Sequence, residues 1–129
     1  MRSAECGIEQ SMATSNLKQR TREFALGVIR LVNALPKDRA ADVIGKQLLR
    51  CGCSVGANYR AACRAKSQAD FIAKMAIVEE ESDETMYWME LLTESGLIKK
   101  DRIADLFDEA NQLVAITVSS IRTARTHKS

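Results

Sequence analysis

A chain of 129 residues, 46% apolar and 28% charged, has the composition of a single globular domain, and its one Pro and six Gly argue against a turn-rich β-sandwich. Aromatic residues make up only 5%, few for RNA readout by stacked rings, and the single histidine, His127, leaves little room for His-dependent catalysis or His-containing metal sites. The net charge of +2 conceals a division: residues 1–66 carry 12 Lys/Arg against 5 Asp/Glu, while residues 67–129 carry 7 against 12.

In chain order, residues 1–14 are polar and aperiodic and read as a mobile N-terminal tail. This stretch lacks the apolar run of a signal peptide, and no segment of about 18 uncharged apolar residues follows, so a cytoplasmic protein without membrane attachment is expected. Cys6, Cys51, Cys53 and Cys63 are then expected to be reduced thiols. The domain proper spans residues 15–125.

Leu17, Thr21, Phe24, Val28, Leu31 and Leu35 recur at alternating spacings of four and three, which predicts a first helix capped by Ser15 or Asn16 and ended by Pro36. A second helix is predicted from about Asp38 to Ala65, with Ile44, Leu48, Cys51, Val55, Asn58 and Ala62 on its seam. Gly45, Gly52 and Gly56 lie inside it, each costing roughly 1 kcal/mol against Ala. Such residues are tolerated where a neighbouring backbone approaches closely; a break near Gly52 is the competing reading. Ser67 and Asp70 open a third helix over about Gln68–Ser95, and Gly96 stops it. A fourth starts near Lys99–Arg102 and runs through Ile103, Leu113, Val118 and Ile121. Four long helices with short connections predict an all-α, up-down-up-down antiparallel four-helix bundle.

Polar residues interrupt two seams. Asn58 with Ser54 on the second helix, and Glu79 with Ser82 on the third, are candidates for a buried polar layer that fixes helix register. The alternative is a ring of groups around a ligand or subunit junction. The run Glu79–Glu84 invites a di-iron reading, but the two Glu-x-x-His pairs such bundles use are absent. Cys51 and Cys53, two apart on a helix, point roughly 200° apart and cannot share an ion without unwinding. No metal, cofactor or catalytic residue is therefore expected.

The basic residues of the second helix are more informative. Arg39, Lys46, Arg50, Arg60 and Arg64 fall within one arc of about 80° opposite the seam, with Asp42 the one acid among them. Solvated charge opposite the core is what any amphipathic helix shows; a nearly single-signed stripe is also the footprint of a phosphate-binding surface.

The segment from Gln47 to Ala61, followed by Phe71 and the Glu79–Trp88 run, resembles small bacterial four-helix bundle proteins. These were first noticed as products of intervening sequences in 23S ribosomal RNA genes, the S23-like family. Their pattern of Gln-Leu-x-Arg followed by Ser-Ile/Val-x-x-Asn is matched at Gln47, Leu48, Arg50, Ser54, Val55 and Asn58, and the likeness covers about residues 17–122. The Ala-Glu-Gly step that many members carry after the Asn is replaced by Arg60-Ala61-Ala62, so no role of that Glu transfers. The resemblance implies a homo-oligomer, a ring of five subunits. It extends to the accessory variability protein of diversity-generating retroelements, a similar bundle that binds nucleic acid and a reverse transcriptase. The expected function is a non-catalytic oligomeric scaffold that binds RNA or a ribonucleoprotein through Arg39, Lys46, Arg50, Arg60 and Arg64. A self-assembling protein–protein module without nucleic-acid binding is the alternative.

Overall fold

The computed structural model describes residues 16–127; the expected tail, with Cys6, lies outside them. The four predicted helices are present as α1 (Leu17–Asn33), α2 (Arg39–Cys63), α3 (Gln68–Glu94) and α4 (Ala104–Thr126), the last preceded by a single 3-10 turn at Lys100–Arg102.

Local chemistry explains the boundaries. The Asp38 carboxylate accepts from the Ala40 and Ala41 amides at 3.0 and 3.1 Å, which starts α2 one residue inside the predicted limit. Ser67 Oγ accepts from the Asp70 amide at 3.0 Å, and Asp70 Oδ2 accepts in return from the Lys66 amide at 3.1 Å, a reciprocal cap on α3. Gly96 ends the α3 run with φ +80°, in the left-handed region that favours glycine. At α1, Asn16 makes no capping hydrogen bond through its side chain, and Ser15, the other expected cap, lies outside the described residues.

Consecutive helices pack against each other, and α1 returns to meet α4, which closes the bundle. Helix α2 runs unbroken through its glycines. A Cβ on Gly52 would stand 2.8 Å from Val28 Cγ1, and one on Gly56 would stand 3.2 Å from Thr21 Oγ1. The glycines therefore stand where α1 comes closest, and backbone proximity is what their low helix propensity obtains. Phe24, Val28, Leu48, Val55, Met75, Met89, Leu92 and Leu113 fill the centre at 2% exposure or less, which accounts for the four-three seams.

Hydroxyls share that core: Thr21, Ser82, Thr85 and Thr117 are all buried and donate to the carbonyl four residues earlier at 2.7–2.9 Å. Of the expected polar layer, Ser82 is fully buried, whereas Ser54, Asn58 and Glu79 are half-buried. Asn58 Nδ2 donates to the Ser54 carbonyl at 2.8 Å and to Ser54 Oγ at 3.3 Å, so its amide is satisfied within α2. No orphaned buried polar side-chain atom remains among the described residues.

The cysteine expectation needs correction. Cys51 and Cys53 are free thiols, but Cys63 is disulfide-bonded. Spacing along one helix gave no sign of that bond, because a disulfide depends on which chain segments meet in space. Burial pushes the Cys51 thiol up, against a smaller opposing effect from its hydrogen bond with Thr85, whose Oγ1 lies 3.3 Å from Sγ.

Candidate nucleic-acid interface

All five cations of the predicted stripe are exposed, four on α2 and Arg64 at its C-cap. Their electrostatic surroundings differ, and the difference separates them into two groups. Lys46 pairs with Asp42 one turn earlier at 3.2 Å. Arg50 reaches across to α3, where Nη2 donates to Glu84 Oε2 at 2.6 Å and Nη1 to Glu81 Oε1 at 3.4 Å. The Glu84 hydrogen bond comes first among the causes that raise Arg50 further above its ordinary value. Glu84 Oε2 also accepts from Trp88 Nε1 at 3.0 Å, which ties this group into one α2–α3 network. The middle of the stripe is thus neutralised by acids of its own chain.

Arg39, Arg60 and Arg64 make no ion pair among the described residues. Arg60 and Arg64 lie where α2 passes alongside the start of α1, and there they meet Lys18 and Arg22, which also form no ion pair among the described residues. The four cations line a groove of about 850 Å³ between α1 and α2. Its remaining lining is small or uncharged, with Thr21, Ala25, Cys53, Gly56 and Ala57 among it, and no carboxylate of the described residues contributes. Cys63 also lines this groove.

The construction follows from helix geometry. Lys18 and Arg22 are one turn apart, as are Arg60 and Arg64, so each pair rises about 6 Å along its own axis. Close contact at Gly52 and Gly56 brings the two rows onto facing flanks of one helix pair. A lining with four cations and no acid creates a positive potential that the neighbouring α2–α3 surface lacks.

Lys18 and Arg22 were missed by reading α2 alone. Their signal is present in the sequence: both fall roughly 100–140° from the α1 seam, on the flank that antiparallel pairing turns toward the same side of α2. Finding them required the α1–α2 packing, which the positions of the α2 glycines indicate.

An all-α antiparallel bundle with an acid-free basic groove between its first two helices is the class that fold and site define. Residues 14–119 match the family described as 23S rRNA-intervening sequence protein, and the chain belongs to that family. It is also similar to a crystal structure from Bacteroides thetaiotaomicron, described as a protein with unknown function from the S23 ribosomal protein family. The likeness has 36% identity and a TM-score of 0.76, over 81% of this chain and 96% of that one. None of the curated proteins matches. No helix among the described residues is long and apolar enough to cross a membrane.

Proposed function

We propose that this protein is a non-catalytic, homo-oligomeric bundle that binds RNA, or a ribonucleoprotein partner, through its basic helix surfaces. One observation carries the reading: Lys18, Arg22, Arg60 and Arg64 stand around one groove with no carboxylate of the described residues in its lining, while Lys46 and Arg50 are matched to nearby acids. Unmatched guanidinium and ammonium groups on rigid helices retain their attraction for phosphate, and the resulting affinity depends on salt through counterion release. Arg39, also without an ion pair, extends the basic surface at the other end of α2. A reverse-transcriptase-type ribonucleoprotein is one partner class such a surface would suit.

Assembly into a ring, five subunits by the same likeness, would repeat the groove once per subunit and turn modest contacts into useful avidity. The experiment is retention on heparin at rising salt. Wild type should elute later than Arg60→Glu/Arg64→Glu, and coincident elution would remove the proposal.

A second reading, self-assembly alone, is favoured by different residues. Val43 and Tyr87 are 56% and 51% exposed, and α3 carries Glu79, Glu80, Glu81, Asp83 and Glu84 in one run. Basic helix surfaces of one subunit would then pair with acidic α3 of the next. Sedimentation separates the two readings: charge-paired assembly dissociates in high salt, whereas an RNA-binding bundle keeps its subunit number and loses only the nucleic acid.

A further inference from the structure

We infer that the α1–α2 groove seats the sugar–phosphate backbone of a base-paired RNA stem in preference to an unpaired strand. This rests on the polyanion reading above and adds the class of nucleic acid.

The inference starts from where the rings are. Proteins that hold unpaired strands combine a basic groove with aromatic side chains on which the bases stack, worth about 1–3 kcal/mol per base. The groove lining contains no aromatic residue. Phe24, Tyr59 and Phe71 are spent in the core. Tyr87 and Trp88 pack edge to face on α3, with ring centroids 5.1 Å apart, and Trp88 is hydrogen-bonded to Glu84. A base approaching those rings brings its phosphate toward Glu84 and Glu81, which Arg50 only partly offsets. Phe107, half-buried, lies in a second cavity between α3 and α4, where the acids Glu90, Glu94 and Asp108 outnumber the cations Lys99 and Lys100. Among the described residues, positive potential and stacking surface are therefore on different parts of the molecule.

A base-paired stem removes the need for rings. Its bases are stacked on each other, and it presents phosphates and 2′-hydroxyls outward, to be recognised by shape and backbone contact. The groove suits that surface. Its cations are carried in two rows on helices whose axes lie about 8–10 Å apart at the usual packing distance, with a backbone rise of about 6 Å between members of a row. Both rows are carried on helices held in contact at Gly56 and Thr21, so little ordering is needed on binding. Gln19 and Thr21 also line the groove, Thr21 with its hydroxyl proton already given to the Leu17 carbonyl. This leaves the cations to supply most of the contact, without base-specific readout.

The test is fluorescence anisotropy at low salt with two labelled RNAs of equal length, one a stem-loop and one unable to pair. Wild type should bind the stem-loop about tenfold more tightly. Lys18→Glu/Arg22→Glu and Arg60→Glu/Arg64→Glu should each weaken that binding about tenfold or more and reduce the slope of log affinity against log salt by roughly two. Arg122→Glu, a reversal at an exposed α4 position, serves as the control and should stay within about twofold of wild type. Circular dichroism confirms that each variant remains helical. Equal or tighter binding of the unpaired RNA overturns the stem assignment while leaving a polyanion site in place. Unchanged binding by Lys18→Glu/Arg22→Glu overturns the groove. Failure of wild type to bind either RNA overturns the polyanion reading itself.

Discussion

Arg20 on α1 and Glu109 on α4 meet in a two-pronged ion pair, Nε to Oε2 and Nη2 to Oε1, both at 2.8 Å. Arg20 Nη2 also donates to Gln112 Oε1 at 2.9 Å, so one guanidinium binds two successive turns of α4. The pair joins the first and last helices, whose contact is thinner than that between consecutive helices. Fork-to-fork geometry is the form in which a partly exposed ion pair contributes measurably. The hydrogen bond to Glu109 is also the largest cause raising Arg20 above its ordinary value.

Arg20→Ala is therefore expected to lower stability by about 1 kcal/mol and Tm by a few degrees. Glu109→Ala should behave alike, and the double variant should cost less than the two together. A double-mutant cycle in urea measures the coupling, expected near 1 kcal/mol; a coupling close to zero would mean that packing alone closes the bundle.

The contact of Gly52 with Val28 predicts an asymmetry among the α2 glycines. An added Cβ at Gly52 falls 2.8 and 2.9 Å from the two Val28 methyls, and Val28 is a short, stiff, fully buried side chain. Overpacking of this kind costs about 1–3 kcal/mol, against a helix-propensity gain of about 1 kcal/mol. Gly52→Ala should destabilise, with the loss softened in a Val28→Ala background. At Gly45 the nearest atom is Leu35 Cδ1 at 3.1 Å, on a half-buried side chain beyond the end of α1 that can turn aside. Gly45→Ala should be close to neutral. Equal losses at both positions in chemical denaturation would show that proximity to α1 does not set the requirement for glycine.

The helices are legible in the sequence because burial in a bundle imposes its period directly: Phe24, Val28 and Leu31, or Met75, Val78 and Met89, cannot take those positions without sharing a face. Caps are legible for the same local reason, as Ser67 and Gly96 illustrate. What single-helix patterns hide is the side on which two helices meet. Arg50 and Arg60 belong to one stripe by periodicity, yet Arg50 leans onto the acids of α3 while Arg60 faces the cations of α1. Likewise Asn58 lies at the margin of its seam, where the Ser54 carbonyl satisfies it, and the hydroxyl at the centre of α3 is Ser82. Tertiary packing decides these placements, and so it decides the groove.

Asp70 predicts part of the acid response. Its carboxylate accepts from Lys74 Nζ at 2.6 Å and from the Lys66 amide at 3.1 Å, and these two bonds, the Lys74 bond first, hold it below the ordinary carboxylate range. A folded-state pKa below the unfolded one means that the group stabilises the fold at pH values above the unfolded pKa. That contribution is lost as pH falls through the lower, folded value. Asp70→Asn should be less stable than wild type at pH 7, and the difference between the two should shrink below about pH 4. Thermal melts of both proteins from pH 7 to strongly acidic buffer provide the check; a constant difference across that range would assign the effect of the substitution to something other than its charge.

The two free thiols among the described residues should differ sharply in reactivity. Cys51 is fully buried in α2, donates weakly to the Leu48 carbonyl at 3.6 Å, and has its thiol pushed up by burial, so little thiolate is present near neutrality. Cys53, two residues on, is half-buried and lines the α1–α2 groove. Brief alkylation of the native protein near neutral pH, read by peptide mass spectrometry, should mark Cys53 while leaving Cys51 unmodified. Denaturant should then release Cys51 with the same midpoint as loss of helical signal, because its access depends on opening the core. Labelling of Cys51 at native conditions on the timescale of Cys53 would reveal a local opening of α2 around Gly52. The groove is built on that same stretch of helix, so the labelling ratio also reports how rigidly Arg60 and Arg64 are held. Substitutions at Gly52 that loosen the α1–α2 contact should accelerate Cys51 labelling, with the logarithm of the rate rising in proportion to the stability they remove.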